Sequence, residues 1–129
     1  MEVSDRVIVV QGDLFAGLAG LGLDGSIDVV VCNPPYISQG KLATERAGLL
    51  AFEPREAFDG GPYGISIQQR VVKEALPFLR PGGTLLFEIG LGQDRQVTML
   101  LDRAKQYEDV QHLANSAGQV RVVSGRKRA

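Results

Sequence analysis

At 129 residues, with 14 Lys+Arg against 15 Asp+Glu and 44% hydrophobic residues, the chain is sized for one folded domain over residues 1–129 and is too apolar for a disordered tail. A net charge of −1 gives no electrostatic footprint for nucleic acid, and a single Cys excludes a disulfide framework or a Cys-based zinc site. No apolar run approaches the ~20 residues of a membrane span. The start, Met1-Glu2-Val3-Ser4-Asp5-Arg6, lacks the basic and apolar regions of a secretory signal, so the cytoplasm is the expected compartment.

In chain order, Arg6-Val7-Ile8-Val9-Val10 is short and β-branched and predicts a buried strand. It closes in Gln11-Gly12-Asp13-Leu14-Phe15, with Asp13 at the strand's carboxyl end. Gly17, Gly20, Gly22 and Gly25 then make a loose connection, with one helical turn over residues 15–18. Ile27-Asp28-Val29-Val30-Val31-Cys32 reads as a strand buried on both faces, as in a parallel sheet. It stops at Asn33-Pro34-Pro35-Tyr36, because two prolines cannot extend a ladder. Residues 37–63 show no sustained period beyond a short helix over 42–52 and predict a long ordered loop, a kind usually tied to function. Ile67, Val71, Val72, Ala75, Leu76 and Leu79 predict an amphipathic helix over residues 65–79.

Pro81-Gly82-Gly83 ends that helix and turns the chain into a strand over 84–89. Val97, Leu100, Leu101 and Ala104 mark a second helix, and residues 109–113 and 120–123 predict an antiparallel pair around Ser116-Ala117-Gly118. The succession is α/β. In open sheets of that class, ligands bind outside the carboxyl ends of the strands. Asp13, Asn33 to Tyr36 and Glu88-Ile89-Gly90 all fall at such ends.

Asn33-Pro34-Pro35-Tyr36 carries the chemistry. The Asn33 side-chain carbonyl can accept one N–H. The Pro34 carbonyl, in a stiff diproline corner, is kept from local turns and can accept a second. Together they can grip both hydrogens of an NH₂ group and direct its lone pair out of plane, while Tyr36 offers a flat face for stacking. A planar amide nitrogen is a weak nucleophile, so alignment and stabilisation of positive charge on nitrogen must do most of the work. A methyl sulfonium suits such a site, needing neither metal nor covalent enzyme intermediate. The plain alternative is a turn, since Asn-Pro and Pro-Pro are common turn dipeptides.

Residues 28–37, Asp-Val-Val-Val-Cys-Asn-Pro-Pro-Tyr-Ile, resemble motif IV of amino-methyltransferases that use S-adenosylmethionine. Glu53-Pro54-Arg55-Glu56-Ala57-Phe58-Asp59-Gly60-Gly61 with Gly64, the stretch from Leu79 to Gly90, and Ala117-Gly118 through Arg121 to Arg126 resemble the release-factor glutamine methyltransferases, in that family's order. The resemblance runs from about Arg6 to Arg126. It implies the C-terminal part of a Rossmann-like class I methyltransferase sheet, closed by an antiparallel hairpin. It further implies methyl transfer from S-adenosylmethionine to the glutamine amide of a Gly-Gly-Gln loop in a peptide-chain release factor. Asn33, Pro34, Pro35 and Tyr36 would hold that amide, with Asn33, Pro34 and Tyr36 catalytic. Asp13 and Asn33 would touch the cofactor, Asp13 near its adenine amino group, and no metal is implied.

The family's Gly-rich cofactor turn and the acid ending its second strand are expected to be missing, because only five residues precede Arg6. Glu88-Ile89-Gly90-Leu91-Gly92 imitates that turn, but the third glycine of the fingerprint falls at Arg95. Asn115, Ser116 and Val120 replace the family's usual Asp, Leu and Asp. Without its first two strands, the Ile27–Cys32 strand is expected to be covered by the Arg6 strand or to self-associate. Two rival functions remain: methylation of an adenine amino group, disfavoured by the charge, and a non-catalytic binding or assembly module. His112 lacks ligand partners at metal spacing, Cys32 reads as a small core residue, Tyr63 reads equally as pocket lining or loop filler, and Arg126-Lys127-Arg128 reads as a solvated tail.

Overall fold

The computed structural model describes residues 5–34 and 65–129. Pro35, Tyr36, the segment from Glu53 to Gly61, Tyr63, Gly64 and the helix expected over 42–52 lie outside the described residues. The 3-10 turn Leu14–Leu18 leads to strand β1 (Ile27–Cys32). Helix α1 (Ser66–Glu74), strand β2 (Leu79–Glu88), helix α2 (Asp94–Ala104) and strands β3 (Tyr107–Ala114) and β4 (Val120–Lys127) follow. The strands form one sheet in the order β1-β2-β4-β3, with β1 parallel to β2 and the other neighbours antiparallel.

Leu85 and Phe87 of β2, with Ile89 just past its end, follow the period-two alternation of one sheet face and are fully buried. Val123 lies opposite Phe87 on that face. Val71, Val72 and Ala75 of α1 and its end, with Val97 and Leu101 of α2, close over it at helical spacing. The opposite face carries Val29 and Val31, which are 51% and 73% exposed, and Leu113 at 63%. β1 is therefore not buried on both faces as its composition predicted. Both helices pack on one side, so of β1 only Ile27, Val30 and Cys32 reach the core.

A second correction concerns residues 6–10, expected as a buried strand. They join no sheet, and Ile8 and Val9 are 85% and 90% exposed. β-Branched composition favours a pleated surface only where a neighbouring edge supplies hydrogen bonds and packing. Nor do these residues cover β1, whose partner among the described residues is β2 alone.

The first long helix ends sooner than expected and the following strand starts sooner. Pro77 disfavours helical geometry at Leu76 and lacks an N–H, so the helix stops and Leu79 becomes the first residue of β2. Pro81-Gly82-Gly83 lies inside that strand rather than before it. Ile27 pairs with Leu79 but Val29 pairs with Thr84, so β2 accommodates extra residues in a bulge. Gly83 is required there: a Cβ would lie 2.9 Å from the Ile27 carbonyl oxygen and 3.1 Å from that of Asp28.

The closing hairpin runs longer than expected. Its turn is organised by Asn115, whose Oδ1 accepts from the N–H groups of Ala117 and Gln119, both at 3.0 Å. An amide oxygen thus organises this turn, as an Asp carboxylate could. Tyr107 Oη donates to the Val72 carbonyl at 2.6 Å, and Lys127 Nζ donates to the carbonyls of Leu76 and Leu79. Those bonds tie the far side of the sheet to the end of α1.

Candidate active site

Parallel pairing of β1 and β2 brings their carboxyl ends to one rim. Cys32 faces Phe87 in register, so Asn33 and Glu88 are the next residues along neighbouring strands. Asn33 is exposed, and Pro34, one residue on, is buried. The corner therefore has an anchored base with a free amide beside it, which suits a rigid acceptor. Pro35 and Tyr36 lie outside the described residues, so the stacking face expected at Tyr36 is not described.

Just inside this rim lies a run of glutamine amides absent from the sequence reading. Gln96 Nε2 donates to Gln68 Oε1 at 2.9 Å, and Gln68 Nε2 donates to Gln93 Oε1 at 3.2 Å. Gln93 Oε1 also accepts from the Gly90 N–H at 2.9 Å. Gln68 is fully buried, and breaking a buried amide chain costs the desolvation of whatever is left unpaired, about 1–3 kcal/mol per group. The signal was available, since position 68 falls three and four residues before Val71 and Val72 on the buried stripe. The same bond bears on the imitation glycine turn, because the Gly90 N–H is spent on Gln93 rather than offered to a ligand.

Asp13 sits at the N-terminal boundary of the 3-10 turn, and its side chain makes no capping bond. Its Oδ1 instead receives Arg70 Nη1 at 3.1 Å, while Arg70 Nε reaches Glu74 Oε2 at 2.9 Å. These two carboxylates hold the guanidinium more firmly in its charged form, the Asp13 bond first. Asp13 is 72% exposed, and an ion pair so open to water adds little to stability. The turn beneath it is well fixed. A Cβ on Gly12 would lie 2.5 Å from the Gly17 nitrogen, and Phe15 stacks on Phe78 with ring centroids 5.6 Å apart. Among the described residues no hydrogen bond joins Asp13 to Asn33.

Burial pushes the Cys32 thiol up to about 11, so it is a protonated core group at neutral pH rather than a nucleophile. Burial also raises the Tyr107 phenol well above its ordinary range. Both groups favour the neutral form when folded, so the stability they contribute is intact below the unfolded values of 9.0 and 10.0 and is lost as pH rises through the folded ones. Denaturant melts should weaken from about pH 9 upward. The slope should flatten in the double variant Cys32→Ala/Tyr107→Phe, and an equally steep fall in that variant would refute the assignment. His112 is exposed, with Nε2 at 2.8 Å from Thr98 Oγ1, and serves as a β3–α2 link.

No protein-family model matches the chain. A release factor glutamine methyltransferase of Clostridium botulinum is 34% identical over 126 residues, which is 98% of this chain and 44% of that protein. One from Moorella thermoacetica is 39% identical over 121 residues, 94% of this chain and 41% of that protein. Among solved structures, the protein-(glutamine-N5) methyltransferase (release factor-specific) of Alicyclobacillus acidocaldarius aligns with a TM-score of 0.50 at 20% identity, covering 79% of this chain and 49% of that one. That likeness shows a shared fold, a partial class I methyltransferase sheet. The chain spans about two fifths of the length of the curated relatives it matches. Over that stretch it is a homologue of the release factor glutamine methyltransferases.

Proposed function

We propose that this chain is the amide-gripping part of an S-adenosylmethionine-dependent protein-glutamine methyltransferase, acting on the Gly-Gly-Gln loop of a peptide-chain release factor. The observation that carries the reading is an exposed Asn33 set directly on a buried Pro34 at the rim, within a chain homologous to that family. Asn33 Oδ1 and the Pro34 carbonyl accept the two amide hydrogens, fix the NH₂ plane and stabilise positive charge growing on nitrogen. By the family resemblance, Tyr36 would offer its flat face to the amide. Bound S-adenosylmethionine would supply an electrophilic methyl on its sulfonium. The residues present fit the adenine end of that cofactor: Asp13 is an exposed carboxylate free of capping duty, chemically an acceptor for an exocyclic amine.

Calorimetric titration with S-adenosylmethionine is the first test, and micromolar binding would support the enzymatic reading. No heat at millimolar cofactor would overturn the enzymatic reading in favour of a non-catalytic module. Methyl incorporation into a Gly-Gly-Gln protein loop is then expected to exceed that into adenine oligonucleotides, and the reverse order would make an adenine the substrate.

We further propose that the chain self-associates, a second copy pairing on the outer edge of β1. Nothing among the described residues pairs with that edge, and its flanking Val29 and Val31 are exposed. Its one charge, Asp28, is held by Arg80 at 2.6 Å, so the edge presents no free lysine or proline to deter pairing. Sedimentation velocity should show dimer growing with concentration. Val31→Lys should shift the equilibrium to monomer, and a monomer at every concentration would overturn the proposal.

A further inference from the structure

We infer that Arg70 is a positioning residue for the cofactor's adenine, acting through Asp13. The inference rests on the reading of Asp13 as the acceptor for the adenine amino group.

A lone aspartate on a turn rotates about two side-chain bonds and points where water takes it. Here one carboxylate oxygen is pinned. Arg70 Nη1 holds Oδ1 at 3.1 Å, and the guanidinium is itself fixed by Glu74 through Nε at 2.9 Å. A planar guanidinium with donors on two edges can join both carboxylates at once, which a lysine ammonium does with far less directional control. A carboxylate accepts at both oxygens, so pinning one leaves the other aimed and able to receive an N–H. The backbone under Asp13 is held independently, by the close approach of Gly12 to Gly17 and by the Phe15–Phe78 stack. What Arg70 adds is therefore orientation of the side chain, over a sequence separation of 57 residues. An ion pair this exposed has little to offer stability, and its geometry is better explained by keeping one acceptor in place.

Calorimetry with S-adenosylhomocysteine and with its inosine analogue, which lacks the amino group, tests this on the full chain without turnover. The unaltered chain should prefer the adenine ligand about tenfold, the worth of one hydrogen bond to a charged acceptor. Arg70→Ala should cut the preference to about twofold, and Arg70→Lys should restore part of it. Asp13→Ala should abolish it, and the double variant should be no worse than Asp13→Ala alone. If Arg70→Ala weakens both ligands equally, its role is structural and the inference fails. If Asp13→Ala removes the preference while Arg70→Ala leaves it, Asp13 keeps its role and Arg70 loses it. No preference in the unaltered chain, or no binding, would overturn the Asp13 reading and this inference together.

Discussion

Asn33→Ala is expected to lower methyl transfer to a Gly-Gly-Gln substrate by about 10²-fold or more, the scale seen when one preorganised polar contact to a developing charge is removed. On the proposed reading, the substitution deletes the acceptor for one amide hydrogen and leaves the amide plane held by a single hydrogen bond. Because the lone pair of an amide is delocalised, misalignment costs rate directly, with no reserve of nucleophilicity to offset it. Cofactor affinity should change by less than about threefold, since loss of one exposed contact leaves the adenine end untouched. Fold stability should also hold, because Asn33 is exposed and the corner is anchored by buried Pro34. Asn33→Asp keeps an acceptor at the same place and should retain more activity than Asn33→Ala. Methyl incorporation measured beside cofactor titration separates the outcomes: equal loss of both would show that Asn33 holds the cofactor rather than the amide.

The largest expected effect on the fold comes from Gly83→Ala, at about 2–3 kcal/mol of lost stability. A Cβ at this site would meet the carbonyl oxygens of Ile27, Arg80 and Asp28 at 2.9, 3.0 and 3.1 Å. All three are backbone atoms, so relief requires shifting β1 against β2 rather than turning a side chain. The bulge that sets the register of the two strands would move with it, and with the register goes the level at which Asn33 meets Glu88. Gly125→Ala provides the contrast. Its Cβ would find Leu101 methyls at 3.4 and 3.5 Å and the Tyr107 Cβ at 3.5 Å, ordinary packing distances. Urea denaturation of the two variants should give a clear loss for the first and a change under about 1 kcal/mol for the second. Similar losses in both would show that the crowding at Gly83 does not decide the strand register.

How much could be read in advance depended on whether a feature is local. The strand at Ile27–Cys32, both helices and the final hairpin were legible because a run of β-branched residues or a spacing of three and four is written within ten or fifteen positions. Residues 6–10 show the limit of that logic. They are as β-branched as β1, yet they stay unpaired, because a strand is completed by a neighbouring edge and not by its own composition. Pro77 could have shortened the first long helix on paper. The bulge at Pro81-Gly82-Gly83 could not be foreseen, since it exists only relative to the register of β1.

By itself the sequence determined the α/β class and the likeness to the release factor glutamine methyltransferases, both of which follow from residue type and order. Only the tertiary structure decided which sheet face is covered, that Gln68 joins a buried amide chain, and that Arg70 reaches across to Asp13. The physical reason is the same in each case. Burial and pairing are properties of two segments brought together by packing, and neither segment carries a record of its partner.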